Sequence, residues 1–326
     1  MGKFVCHGAT TREDITSIYS LKALCAFFVV IIHSAMWGQA KLFYLLQIAV
    51  PCFFAVSGYF LFADDVSKEC AKAWKWGKKT LLLFAFFCVA YALFHYFMYG
   101  KTFSERDLYL CLGTGAVPSV HLWYLNSMWQ ALVLFVLLRR SHCWHPIAVV
   151  LMLLGGSIFS VWSISHCLPH SPWWRFAGPL WALPLMGGGY FARKYNLQRF
   201  RTIVFVIPLA VALPVASFYP PYSQGYCPMF VTRCCYLVSA VSVLALCVKY
   251  SHCSIPIAAW IGKYHSANIY YFHVMVKGIL LYLSTEYVGV DIERFSPPLT
   301  FAVTLLLSVM IGGIASGGRK IFLKQR

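Results

Sequence analysis

Ser20-Leu-Lys-Ala-Leu-Cys-Ala-Phe-Phe-Val-Val-Ile-Ile-His33 sets ten consecutive apolar residues, Ala23 to Ile32, between a lysine and a histidine. A helix apolar around its whole circumference needs apolar surroundings on every side. The run that contains the stretch covers 18–36, and at about 1.5 Å per residue it reaches across the hydrocarbon core of a bilayer. The segment before it, Met1 to Ile18, is polar, and no small-residue cleavage site follows Met36, so the run reads as a retained span and not a signal peptide.

Runs of similar length lie outward along the chain at 43–63, 80–98, 121–138, 145–165, 174–192, 202–218, 231–249, 267–285 and 299–318. Between the eighth and ninth, Tyr250 to Ser266 holds Pro256 and a short apolar stretch, Ile257 to Ile261, too short to span and expected at the membrane interface. No internal repeat and no low-complexity tract interrupts the pattern. Composition agrees: 60% of residues are hydrophobic and 11% charged, with mean hydropathy +0.68. A water-soluble domain has about 25% charged and 45–50% apolar residues. The expected fold is a single all-α integral membrane domain over residues 1–326, with about ten transmembrane helices.

The formal charge of +17 does not indicate a nucleic-acid partner, because the basic residues punctuate apolar runs and form no single face. Nineteen lie in one alternating set of segments: Lys3 and Arg12, the Lys68–Lys79 cluster, Arg139 and Arg140, the Arg193–Arg201 group, Lys249 and Lys263, and the tail from Arg319. Four, Lys41, Lys101, Arg106 and Arg294, lie in the other set. Basic residues remain on the cytoplasmic side, so this bias is expected to place both termini in the cytoplasm. Of the thirteen cysteines, Cys25, Cys52, Cys88 and Cys247 sit in apolar runs as small hydrophobes, and Cys6, Cys70, Cys143 and Cys253 fall on the reducing side. Cys111, Cys167 and Cys227 fall on the other side without a pairing pattern, and free thiols are expected.

Ionisable groups inside a membrane are costly and are candidates for function. Here they are Lys22, His33, His95, His273 and Lys277, with Arg175 and Arg233 near outer span ends. All ten acidic residues fall outside the runs, so the buried carboxylates of ion-coupled transport are missing. Lys22 and His33 are eleven residues apart, which returns them to nearly one helix face about 16.5 Å apart. They are expected to look into one cavity. An imidazole accepts a proton from a hydroxyl near neutral pH, and a lysine at the mouth suits a phosphate. The alternative is a snorkelling lysine and a histidine held by a helix–helix hydrogen bond. His142-Cys-Trp-His145 lacks further ligands, so no metal site is expected. Gly187-Gly-Gly189 lacks the Lys-Ser/Thr of a phosphate loop and reads as close helix packing, as does Gly58.

The Lys-x10-His spacing of Lys22 and His33 resembles the opening signature of the family 3 membrane acyltransferases. Val50-Pro-Cys-Phe-Phe-Ala-Val-Ser-Gly-Tyr59, His121-Leu-Trp-Tyr-Leu125, and Gly262 to His273 with Ser266 and Tyr270 resemble later motifs of the family in the same order. The resemblance covers nearly the whole chain. It implies transfer of an acyl group, usually acetyl, from acetyl-CoA (acyl-CoA) to a hydroxyl of a surface glycan or lipid-linked sugar. His33 would be the catalytic imidazole and Lys22 its basic partner. His121, Trp123 and His273 would meet the acceptor, with packing the competing role for His273. The family's Arg-x-x-Arg pair for acyl-CoA is matched here by Lys75-Trp-Gly-Lys78, which offers point charges without the guanidinium fork. Asn126-Ser-Met-Trp-Gln130 lacks the glutamate of many polysaccharide-modifying members. Two other classes compete with an enzyme: a transporter or flippase for a lipid-linked glycan, and a non-catalytic membrane sensor. The charge bias predicts that a reporter fused after Arg326 reads as cytoplasmic in a paired cytoplasmic/periplasmic activity assay; a periplasmic signal refutes the topology.

Overall fold

The computed structural model describes residues 15–33, 45–162, 178–218, 226–289, 292 and 296–324. Twelve α-helices and no β-strand occur among the described residues: α1 (Thr16–Ile32), α2 (Ala49–Leu61), α3 (Val66–Tyr99), α4 (Glu105–Thr114), α5 (Trp123–Arg140), α6 (Pro146–Trp162), α7 (Pro179–Lys194), α8 (Ile203–Phe218), α9 (Tyr226–Lys249), α10 (Pro256–Tyr264), α11 (Ser266–Leu283) and α12 (Ser296–Lys324). The described part of each of the ten apolar runs lies mostly on one helix. The other two helices are α4, which is polar, and α10, the nine-residue helix on the short Ile257–Ile261 stretch. Among the described residues three segments, Val66–Tyr99, Val120–Arg140 and Phe230–Lys249, are long and apolar enough to cross a membrane, and five shorter apolar helices accompany them.

α3 shows which solvent surrounds the molecule. Leu82, Phe86, Val89, Leu93 and Phe97 recur at helical spacing on its outer face, exposed by 52–77%, whereas Phe84, Phe87 and Tyr91 on the inner face are buried. Water does not favour a bare stripe of this size; lipid does. The helix also begins earlier than its apolar run. Asp65 caps it, accepting from the Ser67 N–H at 2.8 Å, and Glu69 lies in the first turn. Lys68 to Lys79, which lie between the apolar runs 43–63 and 80–98, are therefore helical.

Lipid tails supply no hydrophobic force between helices, so close packing must hold them together. α7 supplies it with three successive glycines, each facing a different helix. Gly187 abuts Val149 of α6, Gly188 abuts Leu237 and Val241 of α9, and Gly189 meets the Ala55 backbone of α2. Gly58 of α2 answers by meeting the Met186 backbone of α7. The packing expected of both glycine motifs is thus observed. α10 is joined to α1 in the same way, Gly262 lying on the Tyr19 carbonyl.

A buried carboxylate adds a polar tie. Glu69, fully buried, binds Arg139 Nε at 2.6 Å, Tyr190 OH at 3.0 and 3.2 Å, and the Ala63 N–H at 3.0 Å, joining α3, α5 and α7. A buried ion pair tolerates desolvation only when its remaining atoms are hydrogen-bonded, as they are here. α4 starts at a capping box formed by Ser104 and Asp107. The Ser104 backbone N–H and hydroxyl hold the Asp107 carboxyl below the usual carboxylate range. Asn126, in the stretch without a glutamate, ties the end of α4 to α5: its amide donates to Leu112 O at 3.1 Å and its carbonyl accepts from Trp129 Nε1 at 2.9 Å.

Gly189→Ala or Gly58→Ala drives a Cβ into backbone that cannot rotate away, at a cost of at least about 1–3 kcal/mol. Gly188→Ala meets movable side-chain tips and costs less. Thermal unfolding of the detergent-solubilised variants should rank them in that order.

Candidate active site

Three imidazoles meet where α1, α5 and α11 converge. His33 ends α1, and its N–H caps the last turn through Val29 O at 3.2 Å. Its carbonyl accepts from Lys277 Nζ at 2.6 Å, which fastens the end of α1 to α11. His121 lies in a one-turn 3₁₀ segment, Val120–Leu122, that leads into α5. His273 lies on the α11 face that also carries Ser266, Tyr270 and Lys277, at helical spacings of three and four. Ring centroids of His33 and His273 are 5.0 Å apart, those of His121 and His273 5.1 Å, and those of His33 and His121 6.1 Å. Tyr91 of α3 closes the cluster, its ring 4.7 Å from that of His121.

His121 and His273 are wholly buried and His33 is partly exposed. His121 Nδ1 pairs with Ser119 Oγ at 2.9 Å, and His273 Nδ1 lies 2.7 Å from the Tyr270 carbonyl. Nε2 of each ring has no hydrogen-bond partner among the described residues. Buried polar atoms are nearly always paired, so two unpaired nitrogens in one cluster point to a site that receives a ligand.

Beside the cluster lies a cavity of about 330 Å³, walled by Phe53, Val56 and Phe60 of α2, Leu83 of α3, Leu125, Met128 and Leu132 of α5, and the rings of Tyr124, Tyr270 and Tyr271. Its charged lining groups are Lys22 and Lys79; no carboxylate lines it among the described residues. Such a pocket suits an anion with an apolar or slender appendage. Lys22 therefore lies where the sequence placed it, at a cavity. His33 does not line that cavity, which departs from the expectation that one cavity serves both. Tyr270 connects the two regions. Its ring lines the cavity and lies 5.8 and 5.9 Å from the rings of His121 and His273, and its hydroxyl donates to the His121 carbonyl.

The remaining expected residues divide. Lys75 and Lys78 are exposed outside the cavity lining, with Lys78 Nζ 5.1 Å from the Trp74 ring. Trp123 is buried against Phe54, ring centroids 6.1 Å apart, and it is Tyr124 that faces the cavity. Ser57 lines the cavity with its hydroxyl returned to Phe53 O at 2.9 Å, a packing role. Lys79 is the cation that sequence reading missed. Once α3 is extended back to Val66, the spacing of Trp76, Lys79, Thr80 and Leu83 marks one helix face, and that face lines the cavity. Of the three cysteines considered for pairing, Cys111 forms no disulfide and hydrogen-bonds Cys88 sulfur to sulfur at 3.4 Å; Cys167 and the Cys227 side chain lie outside the described residues.

Searches of curated proteins and of solved structures found no match to this chain. A family model, described as an acyltransferase domain, matches residues 15–317. That range contains the imidazole cluster, Tyr270 and both cavity lysines. The chain therefore belongs to this acyltransferase family, as an all-helical membrane protein.

Proposed function

We propose that the protein is a membrane-embedded O-acyltransferase that moves an acyl group, acetyl in the simplest case, from acyl-CoA to a hydroxyl of a cell-surface or lipid-linked glycan. It would cross the inner membrane ten times with both termini in the cytoplasm. One observation carries the reading: an imidazole cluster with unpaired ring nitrogens adjoins, through Tyr270, a cavity whose charged lining is cationic.

In this topology Lys22 and Lys79 lie towards the cytoplasmic ends of their spans, where a soluble acyl-CoA arrives. They hold its phosphates as point charges, with Lys75 and Lys78 outside as further cationic contacts. The apolar and aromatic walls accept the slender thioester arm. His33 and His121 lie towards the outer ends, where a glycan or lipid-linked sugar approaches. His33 serves the transfer by taking the hydroxyl proton or by carrying the acyl group, both within the reach of an imidazole. No carboxylate lines the cavity among the described residues, and the buried Glu69 is taken up by Arg139 and Tyr190; ion-coupled transport commonly relies on carboxylates open to the transported ion, which favours the enzyme over a transporter.

Two measurements check this reading in membrane vesicles supplied with radiolabelled acetyl-CoA, with label counted in the envelope glycan fraction. His33→Ala should lower transfer by at least ~100-fold; transfer at the wild-type rate removes the mechanism. Lys79→Ala should raise the apparent KM for acetyl-CoA about tenfold, equivalent to about 1.4 kcal/mol, with a smaller change in kcat. Lys75→Ala and Lys78→Ala should each change it less than Lys79→Ala does.

A further inference from the structure

The three imidazoles are not equivalent, and hydrogen bonding separates them. His273 Nδ1 lies 2.7 Å from the Tyr270 carbonyl oxygen. A carbonyl oxygen only accepts, so the hydrogen must sit on Nδ1. In the neutral ring this leaves Nε2 a bare lone pair, and that atom is buried and unpartnered among the described residues. His121 has no such assignment, because its Nδ1 partner is the Ser119 hydroxyl, which both donates and accepts. His33 makes no ring hydrogen bond among the described residues, and its contact with Lys277 is through its backbone carbonyl. His273 therefore has its ring oriented and its tautomer fixed by one carbonyl, with its other nitrogen bare.

We propose that His273 is the proton acceptor of the transfer, with the Tyr270 carbonyl as the group that orients it. The proposal rests on the acyltransferase reading above and assigns the proton within it. The acceptor's hydroxyl donates to His273 Nε2. As the hydroxyl oxygen bonds to the acyl carbon, its O–H bond breaks and the proton passes to Nε2. The thioester C–S bond breaks, and the sulfur leaves with the electron pair. The proton then moves from Nε2 to that thiolate, releasing a thiol and restoring the neutral ring, so no other reactant is needed. While the ring is charged, its Nδ1–H bond to the Tyr270 carbonyl becomes charge-assisted and stronger. This is the logic of a base held by a third group. Tyr270 is itself fixed by its hydroxyl bond to the His121 carbonyl. This assignment moves the proton-accepting role from His33 to His273 and leaves the His33 ring, 5.0 Å away centroid to centroid, to hydrogen-bond the acyl carbonyl oxygen as charge develops there, so loss of either imidazole slows transfer.

Two variants of the full-length chain test this in the same vesicle assay. His273→Asn keeps an amide N–H near the Nδ1 position for the Tyr270 carbonyl and removes Nε2. His273→Gln places an amide near Nε2 that cannot take a proton. Each should lose at least ~100-fold in kcat, with less than about a threefold change in apparent KM for acetyl-CoA and with melting temperature near that of the wild type. A purely structural role for the Nδ1 bond predicts instead that His273→Asn stays active. Retention of more than about a third of wild-type kcat by either folded variant overturns the proposal. Wild-type vesicles that transfer no label overturn the acyltransferase reading itself, a distinct result. The wild-type protein gives a check that needs no folded variant at position 273: nitrogen-15 histidine spectra in bilayers should show His273 protonated at Nδ1 and bare at Nε2. A neutral ring carrying its hydrogen on Nε2 overturns the assignment.

Discussion

The backbone contact between α2 and α7 organises the molecule. Gly58 lies on the Met186 backbone and Gly189 on the Ala55 backbone, so each helix supplies the gap that the other fills. In lipid, an apolar side chain is as well solvated outside the bundle as inside it, and helices associate through dispersion contact and hydrogen bonds. Removing every side chain atom at the crossing maximises the first. Gly187 and Gly188 extend the same device to α6 and α9, so one tripeptide brings three neighbours against α7.

Polar side chains supply the second force and fix how far the helices slide. Glu69 of α3 is satisfied by Arg139 of α5, Tyr190 of α7 and the Ala63 N–H ahead of α3, and Asn126 sets α4 against α5. Once the charge of Glu69 is buried, any shift among those helices leaves it without partners, which is costly in a low-dielectric interior. The rigid frame so made matters for chemistry, because an imidazole must be held in place to act as a base or a nucleophile. Lys277 contributes from the other side by fastening the His33 carbonyl to α11.

Within this frame two environments are kept apart. The cavity is cationic and apolar, suited to holding an anion, whereas the histidine cluster is buried, with two ring nitrogens left unpaired. Tyr270 belongs to both, lining one through its ring and orienting the other through its hydroxyl and its carbonyl. Under the proposed function that separation suits a transfer whose two substrates arrive from opposite sides of a membrane, since neither needs to pass the other.

The sequence by itself determined the all-helical class, which stretches form long helices, and that Gly58 and Gly187–Gly189 pack closely, because these follow from apolar run length and from residues without side chains. Lys22, His33, His121 and His273 stood out for the cost of ionisable groups among apolar neighbours, or through motif resemblance. Tertiary structure decided the rest. No spacing along the chain shows that residues 33, 121 and 273 come together, since they sit on separate elements and meet only through packing. The sequence also placed Lys22 and His33 in one cavity, because helix periodicity reports direction and not what stands in the way. The cavity's second cation is Lys79, not Lys75 or Lys78: all three are exposed, but the register of α3 puts Lys79 on the face that lines the cavity. Glu69 read as one more acid outside a span, and only the approach of Arg139 and Tyr190 makes it a buried tie. Periodicity fixes the face of a helix, but the partner of that face is fixed by the fold.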